Sequence, residues 1–129
     1  MNCPCGRNKD YTECCQKVHQ SLSNAITAED LMRSRYTAFT MGMGDYLMDS
    51  HATLTRKLAQ KQEIEDWAKS VKWSHLEIIS KERGEKNDTE GTVEFKAHFK
   101  EGTRANYIHE KSSFVREYGC WVYFNRINE

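Results

Sequence analysis

The chain has 129 residues, 38% of them hydrophobic and 29% charged, which fits one small globular unit and not a disordered chain. Its 19 Lys and Arg residues balance 19 Asp and Glu residues, so net charge offers no general attraction to nucleic acid or anionic lipid. With no apolar run of about 18 residues and no secretory leader in the sequence, we expect a cytoplasmic protein without membrane contact.

The first feature along the chain is a cluster of cysteines. Two close pairs are separated by eight residues, and Pro4 and Gly6 suit the tight turn that would aim the first pair. Zinc prefers four soft ligands at tetrahedral corners, about 2.3 Å from the ion. The spacing therefore predicts one structural Zn²⁺, whose ligands would be Cys3, Cys5, Cys14 and Cys15.

Other interpretations of these cysteines carry less weight. Cytoplasmic thiols stay reduced, and a disulfide between the adjacent Cys14 and Cys15 would strain the intervening peptide. A redox site or free thiols remain as alternatives, and His19 could replace one cysteine as a ligand. The cations that would offset the charge of the thiolates are Arg7, Lys9 and Lys17.

Helical signals follow a polar bridge over residues 20–24. Thr27 and Asp30 have the spacing of a capping box, and Gly42 is placed to end the first helix. Asp45 can cap a short second helix, and residues 56–71 have the pattern of a third amphipathic helix. One face of the first helix would carry Met32, Tyr36, Phe39 and Met43.

The second half of the chain changes to a period of two. Strands are predicted around residues 75–78, 92–99, 107–115 and 120–124, with turns between them. Helices followed by an antiparallel meander indicate an α+β fold. The clearest alternation places Val93, Phe95, Ala97 and Phe99 on one face, with Thr92, Glu94, Lys96 and His98 on the other.

The cysteine segment resembles the SEC-C motif, a zinc knuckle also found at the C-terminus of the SecA translocation ATPase. It departs from that motif at Arg7 and Asn8, where a Ser-Gly pair is common. The departure lies in a loop and leaves the four expected ligands in place. The matching positions are Cys3-Pro4-Cys5-Gly6, Lys9, Tyr11 and Cys14-Cys15.

Nearly the whole chain resembles the YchJ-like proteins, through residues 31–39, 45–47 and 110–121. That resemblance implies a SEC-C knuckle over residues 1–20 and a domain similar to nuclear transport factor 2 (NTF2) over residues 21–129. In such a domain three helices pack on a curved four-stranded antiparallel sheet, which forms a cone with a partly hollow interior. The family carries no settled biochemical activity, so the resemblance informs the fold more than the function.

Glu110 is the best catalytic candidate inside such a cone, because it shares a strand face with Ile108 and Phe114. Burial would raise the pKa of a carboxyl group and suit it to act as a base. Strand carboxylates more often face water or pair with a cation, and Arg33 or Arg35 could be that cation. The expected cavity-lining residues are Glu110, Ser112, Tyr46, Arg33 and Trp121, with His51 at the mouth.

Two classes of function follow from these sites. The first is a non-enzymatic protein-interaction module linked to the translocation or ribosome-associated machinery, in which Arg7, Lys9 and Lys17 contact an acidic partner. The alternative is a small-molecule-binding protein, or an isomerase- or dehydratase-like enzyme, that uses the cavity. We do not expect nucleic acid as a partner. The polar outer sheet face is compatible with a monomer or a homodimer.

Overall fold

The computed structural model describes residues 1–127 and shows helices followed by strands, the order that the sequence predicts. The final two residues of the predicted second domain lie outside the described residues. Short 3-10 turns occur at Tyr11–Glu13, Leu22–Asn24 and Leu58–Gln60. The helices are α1 (Cys15–Gln20), α2 (Ala28–Met41), α3 (Gly44–Asp49) and α4 (Lys61–Ser70), and the strands are β1 (Lys72–Arg83), β2 (Glu90–Glu101), β3 (Arg104–Glu117) and β4 (Cys120–Arg126).

Helix α2 is the central helix and has the predicted boundaries. The backbone N–H of Asp30 donates to Thr27 Oγ1 over 3.1 Å, and the N–H of Thr27 donates back to the Asp30 carboxylate over 3.2 Å. Both interactions satisfy N–H groups that have no partner within the helix. Gly42 ends the helix with a φ of 65°, a left-handed conformation that glycine adopts without strain.

The four strands form one antiparallel sheet in the order β1-β2-β3-β4. The alternation predicted for β2 is confirmed, because Val93, Phe95, Ala97 and Phe99 are buried and their neighbours are not. Trp121 on β4 is fully buried in the same core, and its indole N–H donates to the carbonyl of Ile26 over 3.1 Å. The sheet and α2 therefore enclose the main core of the cone.

The structure differs from the sequence-based boundaries in several places. Residues 15–20 form helix α1, which is too short to show a helical period. The third predicted helix starts at Lys61 and not at Arg56, and each of the four strands extends beyond its predicted range. Helix α3 begins at Gly44, so Asp45 lies in its first turn and does not cap it. Within residues 1–127, no helix has the length and apolar character needed to cross a lipid bilayer.

Candidate metal centre and adjoining cavity

The N-terminal knuckle is held by backbone hydrogen bonds that bring its cysteines together. The N–H of Cys3 donates to the carbonyl of Lys9 over 2.7 Å, and the N–H of Tyr11 donates to that of Met1 over 2.9 Å. Gly6 turns the chain with a φ of 91°, where a side chain would be strained. The second cysteine pair then stands at the start of α1.

The four cysteine sulfurs all lie within 4.8 Å of one another, and the Sγ atoms of Cys5 and Cys14 are 3.6 Å apart. A tetrahedron with metal–sulfur bonds of about 2.3 Å has edges of about 3.8 Å. Cys14 is half-buried, whereas Cys3, Cys5 and Cys15 are buried. None of the cysteines forms a disulfide. The donor set, its spacing and its burial therefore fit a single thiophilic metal ion.

Hydrogen bonding within the cluster already favours negative charge on one sulfur. A hydrogen bond from the Cys15 thiol, opposed by burial and aided by the N–H of Arg7, lowers the pKa of Cys5 to about 5. Donating that bond raises the pKa of Cys15, and burial raises the pKa of Cys14 to about 11. A bound cation would take the place of the protons that these neighbouring thiols share.

His19 does not join the cluster. Its Nδ1 is hydrogen-bonded to the Tyr11 hydroxyl over 2.7 Å, and its Nε2 lies 2.8 Å from the carbonyl oxygen of Ser34. Both ring nitrogens are therefore engaged, and burial lowers the pKa of the imidazole. The possibility that His19 replaces a cysteine ligand is not supported by this geometry.

One side of α2 covers the cysteine cluster. Thr37 Oγ1 donates to the Sγ of Cys15 over 3.4 Å and lies 3.7 Å from the Sγ of Cys3. Arg33 donates from Nη1 to the carbonyl of Cys5 over 2.6 Å. The expectation that Arg33 lines the cavity is thus wrong, because its guanidinium joins the knuckle to the cone.

Arg7 is also occupied within the chain. Its guanidinium pairs with Asp30 over 2.6 Å and lies 3.6 Å from Glu29. Glu29 in turn pairs with Arg33 over 2.8 Å and with Lys81 of β1 over 3.0 Å. These ion pairs tie the knuckle to α2 and to the sheet. The charge of Arg7, which the sequence had suggested for an acidic partner, is thus already paired within the chain.

A cavity of about 240 Å³ lies on the other side of α2, inside the cone. A cleft of about 660 Å³ adjoins it and shares Met48, His51, Ile64 and Tyr123 with its wall. Most of the inner lining is apolar or aromatic. Its acidic and basic side chains are Arg35, His51 and Glu110, and the Tyr123 hydroxyl is hydrogen-bonded to Glu110.

Of the predicted cavity residues, Glu110 lines this space, and so does His51, which was expected at its mouth. Tyr46 lies deeper and its hydroxyl is 2.6 Å from Ser34 Oγ, while Trp121 is packed in the core. Ser112 is buried behind Glu110 and donates to its Oε2 over 2.5 Å. Tyr46, Ser112 and Trp121 therefore support the cone without contributing to the cavity wall.

Tyr123 and most of the aromatic wall were not predicted from the sequence, and Arg35 was weighed only as an alternative to Arg33. A signal for Arg35 was present, because it falls on the same face of α2 as Met32, Tyr36 and Phe39, all of which line the cavity. A charged residue within an apolar helical stripe indicates a buried polar site. No comparable signal singled out Tyr123, since its role depends on the pairing of β3 and β4.

The fold and the cluster together define a SEC-C cysteine knuckle joined to an NTF2-like cone. The family model described as the middle NTF2-like domain of YchJ matches residues 27–126. The chain therefore belongs to the YchJ-like family, whose related proteins are named UPF0225 and have no established biochemical role.

Related sequences and structures agree with this assignment. A UPF0225 protein of Vibrio vulnificus is 39% identical over 126 residues, which is 96% of this chain and 73% of that protein. One from Streptomyces coelicolor is 40% identical over 121 residues, or 94% of this chain and 90% of that protein. The solution structure of a SEC-C motif-containing protein from Rhodopseudomonas palustris superposes with a TM-score of 0.85 at 28% identity, covering 100% of this chain and 99% of that one. A crystal structure of a SEC-C motif-containing protein from Psychrobacter arcticus gives 0.82 at 30% identity, covering 97% and 81%.

Proposed function

We propose that this chain is a zinc protein whose cone binds a small molecule. The observation that carries the binding role is the 240 Å³ cavity, which combines an aromatic wall with charged side chains from different elements. Pockets for drug-sized ligands begin at about 300 Å³, so the inner cavity suits a compact molecule. The zinc would be structural, because four thiolates close its coordination and leave no position for a substrate.

A cavity-filling variant tests the binding role. In Ala97→Leu the added side chain enters the cavity wall. Small-molecule fragments that shift the NMR signals of cavity residues in the wild-type protein should no longer do so in this variant. Lys96→Ala is the matched control, since the neighbouring side chain lies over the Tyr107 ring and does not line the cavity. Fragments that bind both variants as they bind wild type would contradict the proposal.

The identity of the metal is tested by elemental analysis of the purified protein. About one equivalent of zinc is expected in the wild type. The double substitution of Cys3 and Cys15 by serine removes two buried ligands and should abolish this content. Cys120→Ser is the control, because Cys120 lies on β4, outside the sulfur cluster. Retention of the metal by the double variant would exclude the four-cysteine site.

Catalysis at Glu110 is a second candidate. The carboxylate lines the cavity with His51, whose pKa is lowered to about 4 by burial and by the nearby Arg35, so its imidazole is neutral at physiological pH. An isomerase or dehydratase needs a base beside an apolar site, and the carboxylate of Glu110 would be that base. Glu110→Gln should abolish turnover of any ligand that the wild-type protein converts.

The docking role expected from the SEC-C resemblance also stays a proposal. Arg7 is ion-paired with Asp30. Lys9 and the largely exposed Lys17, which pairs with Glu13 over 3.1 Å, lie beside the half-buried Cys14. A charge reversal of both lysines should weaken binding to an acidic partner. Titration with a purified component of the translocation or ribosome-associated machinery measures this affinity. Unchanged affinity would count against this role.

A further inference from the structure

The cavity wall contains a buried cation whose hydrogen bonds are incomplete. Arg35 is 7% exposed, and its Nη1 donates to the carbonyl of Leu47 over 2.8 Å and to Ser50 Oγ over 2.7 Å. Its Nε and Nη2 donate to no residue of the described chain. Every completely buried side-chain nitrogen or oxygen of the described residues has a hydrogen-bond partner. Because Nε and Nη2 of Arg35 have none, they cannot be completely buried, and they face the cavity that Arg35 lines.

The charge of Arg35 is not neutralised by an ion pair within residues 1–127. Its guanidinium lies 4.7 Å from the centroid of the Tyr123 ring, a cation–π contact that replaces only part of the lost hydration. Burial lowers the pKa of Arg35 to about 10, which still leaves it charged at neutral pH. Buried arginines are normally paired with a carboxylate or phosphate, often through two parallel hydrogen bonds.

Glu110 offers the opposite charge in the same cavity. Its Oε2 accepts hydrogen bonds from Ser112 Oγ over 2.5 Å and from the Tyr123 hydroxyl over 3.0 Å. Its Oε1 accepts none from the part of the chain that the structure describes. The cavity therefore presents unused guanidinium donors and an unused carboxylate oxygen that do not pair with each other.

A ligand with a single charge would satisfy only one of these groups. An anion would bind at Arg35 but would lie close to Glu110, and a cation would have the reverse disadvantage. A molecule with a carboxylate and an ammonium group satisfies both. The remaining wall is apolar and would contact an apolar side chain of the ligand. It includes Trp67 and Trp73, which pack edge to face with ring centroids 5.5 Å apart.

We infer that the cone cavity binds a compact zwitterion, an α-amino acid with an apolar side chain, with its carboxylate at Arg35 and its ammonium group at Glu110. This inference rests on the proposed small-molecule-binding function and names the chemical class of the ligand. The volume of about 240 Å³ limits the side chain to one of moderate size, such as that of leucine.

A matched set of ligands tests the inference on the full chain by NMR titration. The set comprises leucine, 4-methylpentanoate without the amino group, 3-methylbutylamine without the carboxylate, and 4-methylpentanamide without either charge. Leucine should bind about tenfold or more tightly than each singly charged analogue, because each charged group gains a charge-assisted hydrogen bond. The neutral amide should bind most weakly.

Two substitutions assign the charged groups individually. Arg35→Gln should remove the advantage of leucine over the amine, and it should leave amine binding unweakened because a repelling charge has gone. Glu110→Gln should reduce the affinity for leucine to about the affinity for 4-methylpentanoate, and it should not weaken the binding of 4-methylpentanoate. If Arg35→Gln does not fold, the ligand series on the wild-type protein still decides the question.

The outcomes separate this inference from the function on which it rests. Equal affinity for leucine and any singly charged or neutral analogue would overturn the assignment of a zwitterion and leave a ligand-binding cavity in place. Failure of the whole set to shift any cavity signal, together with a fragment screen that finds no molecule sensitive to Ala97→Leu, would overturn the inference and the proposed function together.

Discussion

The cysteine cluster and the cone cavity lie on different sides of the same helix, and they differ in how completely their polar groups are used. Thr37 and Arg33 of α2 contact the cluster, whereas Arg35 and Tyr36 line the cavity. The sulfurs contact one another and form a closed ligand set. The cavity leaves donors of Arg35 and an acceptor of Glu110 without a partner among residues 1–127. A complete set of metal ligands suits a structural ion. Polar groups without partners in a cavity suit a small molecule that binds reversibly.

Metal removal should have the largest effect, and that effect should be confined to one of these regions. A chelator should collapse the dispersed NMR signals of residues 1–20, because that segment buries few apolar side chains and depends on the metal for its folding. Signals of β1–β4 should persist, since the cone has its own core. Addition of zinc should restore the spectrum, and simultaneous unfolding of the sheet would contradict the division.

Trp121→Ala should produce the converse result. It removes a fully buried side chain and its hydrogen bond to Ile26, so the free energy of unfolding of the cone should fall by about 3–5 kcal/mol. Denaturant titration followed by circular dichroism measures this change. Tyr118→Ala, at a fully exposed turn position, is the control and should change stability little. A loss of metal content in the folded Trp121→Ala protein would show that the two regions are not separable.

The same contrast explains what the sequence could and could not predict. The cysteine cluster depends on residues close together in the chain. The spacing of Cys3, Cys5, Cys14 and Cys15 was therefore enough to predict that their sulfurs lie together. The capping box of α2 and the alternation of β2 are also local patterns, and both are confirmed. The cavity takes residues from α2, α3, α4 and all four strands, and no local sequence pattern predicts how these elements pack together.

The misplacement of Arg33 shows this limit in a single helix. Arg33 and Arg35 are two positions apart and must point in different directions. Which of them faces the cavity depends on which side of α2 the knuckle covers, and that contact joins residues 28 positions apart in the chain. The apolar stripe that includes Tyr36 favoured Arg35, but only knowledge of the packed knuckle explains where Arg33 goes.

Thr37→Val should have a smaller effect, because it changes the environment of the sulfurs and keeps all four. The substitution removes the hydroxyl that donates to Cys15 Sγ. Loss of such an outer hydrogen bond costs about 10- to 100-fold in metal affinity, and we expect the lower end here because the bond is long. Competition with a zinc-binding dye measures the affinity. Thr40→Val is the control. The Thr40 hydroxyl, one turn along the helix, donates to the backbone carbonyl of Thr37, so its loss should leave metal affinity as in the wild type.

The smallest expected effect concerns the ion pairs that join the knuckle and the cone. Burial raises the pKa of Glu29, but hydrogen bonds from Arg33 and Lys81 outweigh burial and lower this pKa to about 2. A carboxyl group whose pKa is lower in the folded state stabilises the fold above its unfolded pKa of about 4.5 and loses that contribution as the pH falls towards 2. Glu29→Gln should therefore cost about 1–2 kcal/mol at neutral pH, after allowance for solvent screening.

The pH dependence distinguishes this charge effect from a packing defect. The difference in unfolding free energy between wild type and Glu29→Gln should be constant above pH 4.5 and shrink between 4.5 and 2. Tryptophan fluorescence during denaturation reports the cone, because Trp67, Trp73 and Trp121 all lie in it. A difference that persists unchanged at the lowest pH would mean that Glu29 acts through packing, and the join between knuckle and cone would then owe little to its charge.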